Sequence, residues 1–213
     1  GALLDNPYLR ADTKTRMLLR VDPIKPKTWI VEAPNTLDYR AWSWDIDRVV
    51  LDTLSNHFPA DSGGTQCYVH VKQEDRYVDF RHADLSKPIE EIVFGDDGKG
   101  YSPEMLNMMF STKTPGGLNV GQFGEGLKLA AAAAVRKDIK LRYESRDWSA
   151  IPFVRKDMVD GYTVSRLCFT VTQGETTPTG SRTIFTQPTE EIVKEVFSLP
   201  SKVLALNDHY REL

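Results

Sequence analysis

Cysteine is nearly absent. Cys67 and Cys168 are the only two in 213 residues, far apart and in no CxxC or Cys/His cluster. That excludes a disulfide framework and a zinc centre, and it points to a reducing compartment. The expected place is intracellular and cytoplasmic, with the nucleus left open. Histidine is scarce too. His57, His70, His82 and His209 show no metal-ligand spacing and are expected at surface or satisfied positions. No apolar run approaches the length that crosses a bilayer, so no membrane association is expected. A strong charge of either sign is also missing. The net charge of −3 gives no electrostatic argument for nucleic acid or a membrane surface as the main partner. There is no internal repeat, and the five alanines at 130–134 are too few to form a low-complexity segment.

What is present suits one sizeable core: the content, 40% hydrophobic and 27% charged, is that of an ordinary globular chain. Residues 1–40 carry Pro7, Pro23, Pro26 and Pro34, which break any long helix. Short strands are expected there at 17–21 and 28–31, in an N-terminal arm or edge hairpin. Residues 42–58 read as a helix, with Ser43 as N-cap and Pro59 as its stop. Ile46, Val49, Val50, Thr53 and Leu54 share one face of it. Asp52 and Asn56, four apart on the flank, lie one turn from each other. Strands are expected over 66–74, 76–82 and 89–94, with a tight turn at Asp75. Ser102, Pro103 and Glu104 open a short helix through 110. Further strands are expected at 137–148, 151–155, 162–173 and 181–187, with a turn at Asp160-Gly161. A helix at 189–198 precedes a C-terminal tail, 199–213.

Two stretches carry chemistry. In 92–101, Ile-Val-Phe-Gly-Asp-Asp-Gly-Lys-Gly-Tyr, apolar residues at strand spacing deliver Asp96 to a glycine turn. A buried acceptor beside bare backbone suits a flat ring bearing an amino group. Residues 111–124 have the composition of a mobile loop. They run into Glu125 and a helix of leucine and alanine whose small side chains permit close packing. Gly121, Gly124 and Gly126 at its start leave backbone N–H groups and the positive helix end facing any ligand, for which phosphate is the usual choice.

The ordered set resembles the GHKL ATPase superfamily, named for gyrase, heat-shock chaperone, histidine kinase and MutL. It comprises a helix with an acid four before an Asn (Asp52, Asn56), a D-x-G-x-G turn (Asp96, Gly98, Gly100) and G-x-x-G-x-G at a helix start. Gly-Gln-Phe-Gly-Glu-Gly-Leu-Lys looks especially like the chaperone and MORC branches, and the likeness covers about residues 43–187. The resemblance implies an ATP-binding domain over 41–198. Its fold would be α+β, a two-layer Bergerat-type sandwich of a mixed, mostly antiparallel sheet with helices on one face.

Position by position, the resemblance implies that Asp96 accepts from the adenine amino group. Gly98 and Gly100 let the nucleotide lie on the backbone, and Tyr101 walls the base. Asn56 holds Mg²⁺ through its amide oxygen. Gly121 to Gly126, with Gln122, Phe123 and Glu125 between the glycines, wrap the phosphates as a lid whose closing part is 111–119. Lys113 or Lys128 supplies charge to the phosphates. Ser181, with Thr183 as the alternate, is the hydroxyl that assists Asp96. The implied activity is Mg²⁺-dependent ATP binding and slow hydrolysis to ADP and phosphate, with lid closure switching a surface for a partner or an ATP-dependent homodimer. A protein or nucleic-acid client is left open.

The chain departs from the family where the catalytic base stands. Hydrolysing members carry Glu there, and Asp52 is one methylene shorter, which puts turnover in question. The acid that usually follows the Asn is replaced by Pro59, two residues before Asp61. Two rival expectations follow: a nucleotide-binding module that does not hydrolyse, and a histidine-kinase catalytic domain. The second requires an acceptor histidine on another chain, since none precedes Asp52.

Overall fold

The computed structural model describes residues 27–36, 44–58, 66–107, 120–174 and 179–203. Eight strands form one sheet: β1 (Lys27–Thr36), β2 (Cys67–Gln73), β3 (Arg76–Asp79), β4 (Glu91–Asp96), β5 (Leu141–Ser145), β6 (Trp148–Val159), β7 (Tyr162–Gln173) and β8 (Ser181–Thr186). Their order is β1-β7-β6-β5-β8-β4-β2-β3. Each pairing among the described residues is antiparallel. The helices are α1 (Ile46–His57), α2 (Val120–Arg136), α3 (Glu190–Phe197) and the short α4 (Leu199–Lys202). The class is α+β, with α1 packed on α2, α3 and β4, and α2 also on β6.

Alternation along the strands sets the two faces. On the helix side, a cross-strand row runs Val69, Phe94, Thr183, Tyr143, Ala150 and Val171. All six are buried. The next row on that face runs Cys67, Asp96, Ser181, Ser145, Trp148 and Gln173. Polar groups dominate it, so the core ends and a site begins within one pleat. The opposite face carries Tyr68, His70, Val93, Arg142, Arg182 and Ile184, which line an open groove of about 290 Å³ with Tyr77 and Glu144.

Several sequence expectations need correction. The expected strand at 137–148 is interrupted: α2 runs to Arg136, β5 starts at Leu141, and a two-residue turn at Arg146 and Asp147 leads into β6. That turn places Arg146 at φ 52°, without the glycine or asparagine that usually signals it. Strand β6 begins at Trp148, not 151. It pairs with β5 only through Ala150, so Pro152 lies where no neighbour on that side needs an N–H. The stretch at 28–31 belongs to β1, an edge strand of the main sheet. Helix α1 is capped at Asp45, with no side-chain capping bond. Of the helix expected at 102–110, the described part holds a 3₁₀ turn over Pro103–Asn107, and 108–110 lie outside the described residues. Helix α2 starts at Val120, so Gly121 and Gly124 lie inside its first turns and not in a preceding loop. The strand expected at 17–21 lies outside the described residues.

Candidate functional site

The turn after β4 is clamped to the sheet at every step. The Asp96 Oδ1 accepts from the Gly98 N–H at 3.0 Å. Asp97 pairs twice with Gln66: its carboxylate accepts from the Gln66 N–H at 2.7 Å, and its own N–H donates to the Gln66 carbonyl at 3.1 Å. Arg146 Nε donates to the Lys99 carbonyl at 3.2 Å. The Tyr101 N–H donates to Ser145 Oγ at 2.9 Å, and Trp148 Nε1 donates to the Tyr101 carbonyl at 2.8 Å. Such a turn needs little ordering when a ligand arrives.

Two glycines permit this closeness. Gly100 has φ +70°, and a Cβ there would meet Ser145 Oγ at 2.7 Å. Gly180, at φ +93°, brings the start of β8 so near that a Cβ would sit 1.8 Å from the Asp96 carbonyl oxygen.

Asp96 has a second partner that sequence reasoning missed. Its Oδ2 lies 2.6 Å from His57 Nδ1, and His57 Nε2 lies 2.8 Å from Thr183 Oγ1. His57 and Thr183 are each 2% exposed, whereas the Asp96 side chain is 14% exposed. The relay Asp96–His57–Thr183 therefore joins the turn, the last turn of α1 and β8. A signal was present in the sequence: His57 stands four after Thr53 and seven after Val50, on the buried stripe of α1. A polar residue on an apolar stripe calls for partners.

Ser181, directly opposite Asp96 in the ladder, bonds to Ser145 Oγ at 3.0 Å. The hydroxyl that reaches Asp96, by way of His57, is that of Thr183. The Tyr143 hydroxyl, one row deeper, is buried with no partner among the described residues. Burial pushes the Tyr101 and Tyr143 phenols far above their ordinary value, and both are neutral donors at any working pH.

Around the acid, α1 brings Asn56 to the first turns of α2: a Cβ on Gly126 would lie 3.7 Å from Asn56 Oδ1. The amide oxygen thus faces bare backbone. Asp52, one turn earlier, is held by Arg48, whose Nε donates to Oδ2 at 2.9 Å while its guanidinium lies 4.7 Å from the Trp44 ring centre. Lys128 is half-buried in α2. The side chains of Gln122, Phe123 and Glu125, and Lys113 as a whole, lie outside what is described. Cys67, opposite Asp96, has its thiol pushed up to about 11, first by burial and then by the charges of Asp96 and Asp97.

Asp96, Gly98 and Gly100 thus share the turn at the polar end of the sheet, and His57 ties that turn to the end of α1, where Asn56 faces Gly126. Among the described residues no three His, Cys, Asp or Glu side chains converge on a metal position. No helix among them is long and apolar enough to cross a membrane. The chain matches no known family model, and a search of curated proteins finds no relative.

Proposed function

We propose that the chain binds ATP with Mg²⁺ in a Bergerat-type site of the GHKL kind and hydrolyses it slowly. The observation that carries this reading is the Asp96 carboxylate. It is partly open to solvent and fixed through both oxygens, one of them by His57, the residue that follows Asn56 in α1; Asn56 in turn faces Gly126 of α2. An acceptor held in place suits the amino group of an adenine lying on Gly98 and Gly100. The positive end of α2 suits phosphate.

The donor set fits Mg²⁺ as it is usually held in nucleotide sites, by few protein oxygens together with phosphate and water. Asn56 Oδ1 would hold it, with bare backbone at Gly126 leaving room alongside. When bound, the ion supplies charge neutralisation along the phosphates. Asp52 orients the attacking water with the carboxylate oxygen that Arg48 leaves free, and the N–H groups at the start of α2 meet developing negative charge. Phosphate contact at the start of α2 is the proposed switch for a partner or a second copy.

The short Asp52 side chain and its Arg48 ion pair favour a second reading, in which nucleotide is bound and not turned over. Calorimetric titration of ATP and ADP, with and without Mg²⁺, separates these outcomes when phosphate release is followed on the same samples. We expect wild-type binding that Asp96→Asn weakens by roughly tenfold or more, the loss of one charge-assisted hydrogen bond. Release abolished by Asp52→Ala supports hydrolysis. Binding without release supports the second reading, and no binding at all overturns both.

A further inference from the structure

We propose that His57 is the positioning residue through which this site selects a 6-aminopurine over a 6-oxopurine. The inference rests on the reading that Asp96 receives the base. A carboxylate offers about four acceptor directions. Here one is taken at Oδ1 by the Gly98 N–H and one at Oδ2 by His57. The ring is held at its far nitrogen by Thr183 and is 2% exposed, so it has no room to swing away. The carboxylate plane is therefore fixed from behind, by a group anchored in both α1 and β8. The side chain keeps 14% of its surface exposed, so the remaining acceptor directions are left for a ligand. A ligand atom placed there must be a donor. Adenine presents an amino group, while hypoxanthine and guanine present a carbonyl oxygen against negative charge. Without the ring, the carboxylate can turn away, and a carbonyl becomes tolerable.

The two ring nitrogens can be imitated separately. In His57→Asn the side-chain amide occupies the place of Nδ1, beside Asp96. In His57→Gln it occupies the place of Nε2, beside Thr183. The chain and these variants, with His57→Ala, are titrated with ATP and with ITP, the nucleotide that differs in the 6-substituent. Thermal melts check folding. We expect the wild type to prefer ATP, His57→Asn to keep most of that preference, and His57→Gln and His57→Ala to lose it by roughly tenfold or more. A purely packing role predicts equal losses for both nucleotides and no rescue by Asn, and that result overturns the proposal while the ATP reading stands. Wild-type failure to bind either nucleotide overturns both. Should the variants unfold, the low-field Nδ1–H proton resonance of wild-type His57 gives the readout. Displacement by ATP and not by ITP supports the role, and indifference to ATP overturns it.

Discussion

At the scale of single residues, the site is built from groups whose neighbours decide their chemistry. Cys67 is the most accessible reporter of this. Its thiol is held near 11 by burial and by the Asp96 and Asp97 carboxylates, against an ordinary value of 9. Alkylation by iodoacetamide is therefore expected to rise with pH toward about 11, not 9, and Cys168, fully buried, does not compete. Replacing Asp96 with Asn removes one of the charges and should bring the inflection down. The same displacement has a stability consequence. Below the ordinary thiol value both folded and unfolded chains keep the proton. Between 9 and about 11 only the unfolded chain releases it, so stability falls across that window. That a strand delivers Asp96 to a glycine turn was legible from the residue types and their spacing. His57 was expected only at a surface or satisfied position; it is satisfied, but its partners lie 39 and 126 positions away, and no local signal names them. Nor does local sequence distinguish Ser181 from Thr183. Both face the helix side of β8, and only the tertiary position of the His57 ring selects Thr183.

At the scale of elements, legibility followed the strength of local signals. Strand β7 coincides with the expected 162–173, marked off by the Asp160-Gly161 turn with both residues at positive φ. Helix α3 lies within the expected 189–198, and its Thr189 cap accepts from the Ile192 N–H. The turn between β5 and β6 carried no such mark, since arginine at positive φ is chosen by the sheet around it. Glycines at the start of α2 likewise read as loop residues because each costs a helix about 1 kcal/mol, and the helix forms there regardless. The reason for its alanines is clearer in three dimensions. Ala130 to Ala134 are all at most 5% exposed, so every side of that stretch is covered. Ala133→Leu has nowhere to put three more carbons, and we expect it to cost about 1–3 kcal/mol in urea unfolding, with far-UV spectra unchanged.

At the scale of the whole molecule, an α+β fold with a mostly antiparallel sheet was legible from the order of elements; the sheet was expected to be mixed, and each pairing among the described residues is antiparallel. The place of β1 at the far edge, beside β7, was not: it depends on a pairing between residues more than a hundred positions apart. The proposed nucleotide should act on the fold as a unit, because its site joins α1, α2, β4 and β8. With Mg-ATP roughly 100-fold above its dissociation constant, linkage adds about 2.7 kcal/mol. For a domain of this size that is a rise in Tm of roughly 5–10 °C, and Asp96→Asn should largely erase it. The alanine stretch of α2 has one more effect. Methyl groups have no rotamers to reset, and the ridges they raise on a helix are shallow. Contact through them holds α2 close to its neighbours but gives them little to mesh with, as a smooth bolt sits in its sleeve. Sliding of α2 along its own axis therefore meets less steric resistance over this stretch than a helix of large side chains would meet.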